Sequence, residues 1–127
     1  MAAKEPPARP RVHIVDDDAG VRRALTRLVE SMGILAQAYA SPRDLLDRSV
    51  SDPHDCLLLD VQLPEMDGFE LYRRVREAGS PAPVIFISAR ATREVRARAA
   101  AARAVALLEK PFDEELLLAA IRRAVLP

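Results

Sequence analysis

The stretch His13-Ile14-Val15-Asp16-Asp17-Asp18 runs a short apolar segment straight into three adjacent carboxylates. Like charges side by side repel: at an effective dielectric of about 20, two charges roughly 4 Å apart cost on the order of 4 kcal/mol. Either water solvates all three, or something cationic belongs among them. The apolar part has the length of a strand, so the first element of the fold and the first piece of chemistry adjoin.

The same alternation of short apolar run and polar segment repeats along the chain. Runs stand at Val12–Val15, Ile34–Tyr39, Cys56–Leu59, Val84–Ile87 and Val105–Leu108. Four are near-continuously apolar, as parallel strands buried on both faces should be; Ile34–Tyr39 is broken by Gln37. The intervening segments carry helical spacing. Val21, Leu25, Leu28, Val29 and Met32 fall on one face of a first helix. Ser41-Pro42 opens a short second helix, with Leu45 and Leu46 inward. Phe69, Leu71, Tyr72 and Val75 mark a third, closed by Gly79. Thr92 to Ala102 is rich in Ala and Arg, a good helix former with few large anchors. Asp113 caps a last helix whose apolar residues are Leu116, Leu117, Ala120, Ile121 and Ala124. Five strand–helix units in strict alternation predict an α/β fold, a doubly wound parallel sheet with right-handed crossovers.

Composition bounds the function. The chain has 127 residues, enough for one domain, and half are hydrophobic while only 4% are aromatic, so the core is aliphatic. Lys+Arg and Asp+Glu are 19 each, which gives no global electrostatic case for nucleic acid or membrane binding. The single cysteine, Cys56, permits no intrachain disulfide. No apolar run approaches the ~20 residues of a membrane span. Residues 1–10, with three prolines, read as a disordered leader rather than a secretory signal. Residues 11–127 are then one domain, and a cytoplasmic location is expected.

In open parallel sheets ligands sit beyond the carboxyl ends of the strands. At those ends stand Asp16, Asp17 and Asp18 after the first strand, Asp60 after the third, Ser88 after the fourth and Lys110 after the fifth. Asp17 and Asp60 can each give a carboxylate oxygen to Mg²⁺, a hard cation that typically uses one or two carboxylates plus waters and phosphate oxygens. Asp16 can hold a metal-bound water, and Asp18 can cap the first helix. A carboxylate lying against the metal can attack a phosphoryl group. Ser88 would donate to one phosphoryl oxygen and Lys110 would pair with another. Taken singly, each residue has a plainer reading: Asp67, ahead of Gly68, as a cap or turn former, Cys56 as a core hydrophobe, His13 and His54 as structural. The joint occurrence at four strand ends favours the chemical one.

With those residues in view, "HIVDDD", "LLLDVQLPEMDGFEL", "VIFISA" and "LLEKPF" resemble the four signature stretches of the response-regulator receiver domain of two-component signalling, in its FixJ-like branch. The resemblance spans Arg11 to about Val125. It implies a flavodoxin-like (βα)5 fold with strand order 2-1-3-4-5 and a cis Lys110–Pro111 bond. It implies Asp60 as phosphoacceptor, Asp16 and Asp17 as the acidic pair, and Gln62 with Asp16, Asp17 and Asp60 around Mg²⁺. A sensor histidine kinase is the implied donor, Ser88 the switch hydroxyl and Lys110 the phosphate-sensing cation. The protein would assist its own phosphorylation and dephosphorylation without being a turnover enzyme. Homodimerisation on phosphorylation is implied through the fourth helix, fifth strand and fifth helix. DNA would be reached only through a domain outside this chain, controlling transcription; the alternative is a single-domain receiver acting as a phosphorelay or interaction module.

Departures qualify the resemblance. The family commonly has an aromatic residue three positions before the lysine, where this chain has Leu107. Many relatives read Ala-Gly-Ala before the fifth strand and Asp within it, where Arg103 and Ala106 stand here. Signalling is therefore expected to work by displacing the Ala/Arg-rich fourth helix. Three rivals are weighed. A haloacid-dehalogenase-type phosphatase needs an acid two places after its nucleophile, and Gln62 stands there. A nucleotide- or flavin-binding module needs a Gly-rich loop after the first strand, which reads "DDDAG". A phosphorylation-independent receiver would not need the complete acid set.

Overall fold

The structure, a computed structural model, describes residues 10–125. Five strands alternate with five helices: β1 (Arg11–Val15), α1 (Ala19–Ser31), β2 (Leu35–Tyr39), α2 (Pro42–Arg48), β3 (Cys56–Asp60), α3 (Gly68–Glu77), β4 (Val84–Ser88), α4 (Arg93–Ala101), β5 (Ala106–Glu109) and α5 (Glu114–Val125). The sheet is parallel throughout and ordered β2-β1-β3-β4-β5. That is the doubly wound, flavodoxin-like order. Residues 1–9 of the expected leader lie outside the described residues; Pro10 is described, its carbonyl accepting from Leu35 N at 3.3 Å.

Period-two alternation divides each central strand between two cores. Val12, Ile14, Cys56, Leu58, Ile85 and Ile87 pack with Leu25 and Val29 of α1 and Leu117, Ala120 and Ile121 of α5. Val15, Leu57, Leu59, Val84 and Phe86 pack on the opposite face with Leu45 of α2 and Phe69, Leu71, Tyr72 and Val75 of α3. β3 and β4 are buried at every residue, which is why they read as unbroken apolar runs. Cys56 belongs to this interior, where burial and then the Asp55 charge push its thiol up to about 12.

Two expectations need correction. β5, expected to be buried on both faces, is an edge strand and only partly covered, as is β2 at the other edge. Leu116, counted with the apolar residues of the last helix, is 58% exposed; α5 instead buries Leu117, Ala120, Ile121 and Val125. The helix period places 117, 120, 121 and 124/125 on one stripe and leaves 116 beside it.

The helix ends follow the local chemistry. Asp18 caps α1, its carboxylate accepting from Gly20 N at 2.8 Å and Val21 N at 3.1 Å. Ser41, Asp67 and Thr92 cap α2, α3 and α4. Asp113 accepts from Glu115 N at 2.8 Å. At the end of α3, Gly79 takes φ +97° and donates to the Arg76 carbonyl, while Ser80 N reaches Val75 O. α4 closes with the same bonds, Arg103 N to Ala100 O and Ala104 N to Ala99 O, but with Arg103 at φ +56° where glycine would be unstrained. Among the described residues no helix is long and apolar enough to cross a membrane.

Candidate functional site

Register brings the acids together. Val15 pairs with Leu59, and Ser88 with Glu109, so the carboxyl ends of β1, β3, β4 and β5 finish near one level. One oxygen each from Asp16, Asp17 and Asp60 lies within 4.8 Å of the others. Asp16 and Asp60 are buried and Asp17 is exposed. Lys110 Nζ reaches in from the end of β5, 2.9 Å from Asp16 Oδ2 and 3.1 Å from Asp60 Oδ2. Its backbone N–H donates to the Ser88 carbonyl at 2.8 Å, and its bond to Pro111 is cis.

Each buried acid is oriented by backbone as well as by lysine. Asp16 Oδ1 accepts from Asp18 N at 2.9 Å, and the Asp16 carbonyl accepts from Arg22 Nη1 at 2.6 Å. Asp60 Oδ1 accepts from Gln62 N at 3.1 Å. Beneath it, Val61 N donates to Ile87 O and Gly68 N donates to Val61 O, which ties the β3–α3 loop to β4 and to the start of α3.

The electrostatics lean negative. Burial, then the neighbouring Asp16 charge, holds the Asp60 carboxyl above the usual carboxylate range, and Lys110 only partly offsets them. Burial also disfavours the Lys110 ammonium, but its bonds and charge interactions with Asp16 and then Asp60 overcome this and hold it above the usual lysine range. With all three acids ionised, one ammonium leaves two negative charges in the cluster uncompensated. A divalent cation with a preference for oxygen ligands fits that donor set in charge and in chemistry.

Ser88 is fully buried at the end of β4, but its hydrogen bonds run to Gln62 and Arg90. The side-chain amide of Gln62 is turned toward Ser88 and Ala89. Leu107 sits beside Phe86 in the sheet and packs, partly buried, against the core shared with α3.

Sequence reading missed several residues that organise this end of the sheet. Arg22 reaches back from α1 to the Asp16 carbonyl. Glu109 Oε2 accepts from Ala91 N at 2.8 Å. Arg98 of α4 bridges to Asp67 at 3.3 Å and lies over the Phe69 ring, 4.5 Å from its centroid. Neither periodicity nor motif marks these, since each is a long polar side chain outside the apolar pattern. His13, in the middle of β1, is buried between the Tyr39 hydroxyl, 2.9 Å from Nδ1, and Asp55 Oδ2, 2.8 Å from Nε2.

Comparison with known proteins identifies the family. The family model described as the response regulator receiver domain matches residues 12–122. The response regulator protein TodT of Pseudomonas putida is 40% identical over 114 residues, covering 90% of this chain and 50% of TodT. The transcriptional regulatory protein FixJ of Azorhizobium caulinodans is 32% identical over 114 residues, covering 90% of this chain and 54% of FixJ. The crystal structure of a response regulator receiver protein from Burkholderia phymatum superposes with a TM-score of 0.77 at 42% identity, covering 92% of this chain and 95% of that one. The chain thus spans about half the length of these two curated relatives. The chain belongs to the response-regulator receiver-domain family.

Proposed function

We propose that residues 11–127 form a receiver that accepts a phosphoryl group on Asp60 from a sensor histidine kinase, with Mg²⁺ as cofactor. The observation that carries this reading is the buried Asp16–Asp60 pair sharing Lys110 beside the exposed Asp17. An Asp60 oxygen bonds to phosphorus as the bond from phosphorus to the donor's histidine nitrogen breaks, the electron pair leaving with the imidazole. Asp17, Asp60 and the Gln62 carbonyl would hold the ion, and Asp16 would orient a water on it. Bound there, Mg²⁺ supplies charge neutralisation for the nucleophile and the incoming phosphoryl oxygens. Lys110, already shared between two acids, then pairs with a phosphoryl oxygen, and Ser88 donates to another.

The output proposed is displacement of α4. That helix buries only Ala99 fully, with Val95 and the capping Ala102 partly buried on the same core and Arg98 touching Asp67 and Phe69, so moving it sacrifices little apolar contact. Leu107 has no polar tip to mark a switch position. The responding face would be α4, β5 and α5, where Leu116 is already exposed, with homodimerisation as its consequence. A domain outside this chain would carry transcriptional control, since FixJ is named a transcriptional regulatory protein. A cytoplasmic site of action accords with that role.

Acetyl phosphate with Mg²⁺ tests the reading and separates it from a phosphatase. A receiver accumulates one labile adduct per chain, whereas steady multiple turnover of phosphate monoesters would overturn the assignment. Hydrogen exchange with beryllofluoride tests the output: protection changes confined to the Asp60 loop, leaving Thr92–Leu108 untouched, would exclude the α4 switch.

A further inference from the structure

The β4–α4 loop is tied down by side chains from two other strand ends. Gln62 Oε1 accepts from Ala89 N at 2.9 Å, and Gln62 Nε2 donates to Ser88 Oγ at 2.9 Å. A backbone N–H can only donate, so Ala89 sets the carbonyl end of Gln62 toward itself and the amino end toward Ser88. Ser88 Oγ lies 2.6 Å from the Arg90 carbonyl and 3.2 Å from Gln62 Oε1. A hydroxyl has one hydrogen, and the shorter contact to a pure acceptor takes it. Arg90 N also points at Ser88 Oγ, at 3.2 Å. The hydrogen and both lone pairs of Ser88 are thereby committed away from Asp60. One residue further on, Glu109 holds Ala91 N at 2.8 Å, and Arg96 Nε donates to the Ala91 carbonyl at 2.9 Å.

We propose that Gln62 and Glu109 are positioning residues which latch this loop, and the Ser88 hydroxyl within it, in the unphosphorylated arrangement. The inference rests on the phosphoryl-accepting reading above. For Ser88 to donate to a phosphoryl oxygen on Asp60, its hydrogen must leave the Arg90 carbonyl and its bond from Gln62 must open. Moving α4 further requires Ala91 N to leave Glu109. Binding of the phosphoryl group therefore works against the latch, and loosening the latch raises the population that receives it.

The test uses calorimetric titration with Mg²⁺ and beryllofluoride, alongside hydrogen exchange on the unliganded protein. Gln62→Ala and Glu109→Ala should each bind the mimic roughly threefold to tenfold more tightly, the effect of removing one or two hydrogen bonds from the competing state. Exchange should quicken at Val95 and Arg96, whose amides bond to Thr92 rather than to either latch residue. Glu109→Gln keeps an acceptor for Ala91 N and should restore both readouts. Glu109 is exposed and belongs to β5, so its effect cannot come from crowding at Asp60. A purely structural role would lower melting temperature and leave affinity unchanged. Unchanged or weaker binding in both Ala variants overturns the latch, as does unchanged exchange. If the wild type itself fails to bind Mg²⁺ with beryllofluoride, the phosphoryl-accepting reading falls, and the exchange measurement alone decides the latch.

Discussion

Replacing Gly68 with alanine should damage the site without touching any of its side chains. Gly68 opens α3 directly under Asp60, and a Cβ built on it would lie 2.3 Å from the Asp60 carbonyl oxygen and 3.1 Å from the Val61 Cα. Carbon–oxygen contacts in sheets and helix interfaces run at about 3.3 Å, so roughly 1 Å must be found. β3 is buried at every residue and cannot retreat, and α3 is fixed by Phe69, Leu71, Tyr72 and Val75. The strain falls on the loop that orients Asp60. Overpacking of this kind costs about 1–3 kcal/mol, and the better helix propensity of alanine returns about 1. A net loss of up to about 2 kcal/mol lowers the melting temperature by up to roughly 10 °C in a domain of this size. Displacing a reacting group by about 1 Å costs on the order of 100-fold in rate. Thermal melts and the initial rate of adduct formation from acetyl phosphate measure both effects. Gly20→Ala is the control, because its Cβ meets only the Asp18 carboxylate, at 3.2 Å. A Gly68→Ala protein that melts and phosphorylates like wild type would refute the claim that this loop is rigidly held.

Three further outcomes follow from the same physics. Millimolar Mg²⁺ should raise the melting temperature, because a ligand of the folded state adds RT ln(1 + [L]/Kd), and the rise should vanish in Asp17→Ala; a shift that survives that substitution removes the metal from this cluster. Arg103→Gly should stabilise by about 0.5–1 kcal/mol, since φ +56° strains any residue with a Cβ, and a lower melting temperature would show that Arg103 makes compensating contacts. Burial holds His13 below its usual value of 6.5 despite the opposing pull of Asp55, with Arg11 and Arg48 adding to the depression. The folded state therefore resists protonation: the neutral ring's contribution is intact above pH 6.5 and is lost as pH falls below it toward the folded value. Stability of the wild type should drop more between pH 7.5 and pH 5 than that of His13→Gln, and parallel curves would contradict this.

The central part of the fold was legible because β1, β3 and β4 have no exposed face, and an unbroken apolar run ending in a polar residue is what such a strand looks like. The strand ends announced the site for the same reason, since Asp16, Asp60 and Ser88 are the first polar residues after buried ones. Edge position was not legible. Val105–Leu108 is as apolar as β4, yet β5 has a neighbour on one side only and is left partly exposed. Leu116 escaped because helical phase, rather than hydrophobicity, decides which of two adjacent leucines turns inward. The ties from Gln62, Glu109, Arg22 and Arg98 were invisible for a different reason. Each runs through one long side chain, across 18 to 31 residues for Gln62, Glu109 and Arg98 and across six for Arg22, and no periodicity records such a bond.

The most direct test of the account is intact-mass measurement after incubation with acetyl phosphate and Mg²⁺. Asp60 joins the neighbouring Asp16, Lys110 and the loop that follows β3. A single phosphoryl adduct is expected on the wild type, mapping to Asp60, absent in EDTA and absent in Asp60→Asn. No adduct on the wild type, or an adduct that persists in Asp60→Asn, would contradict it.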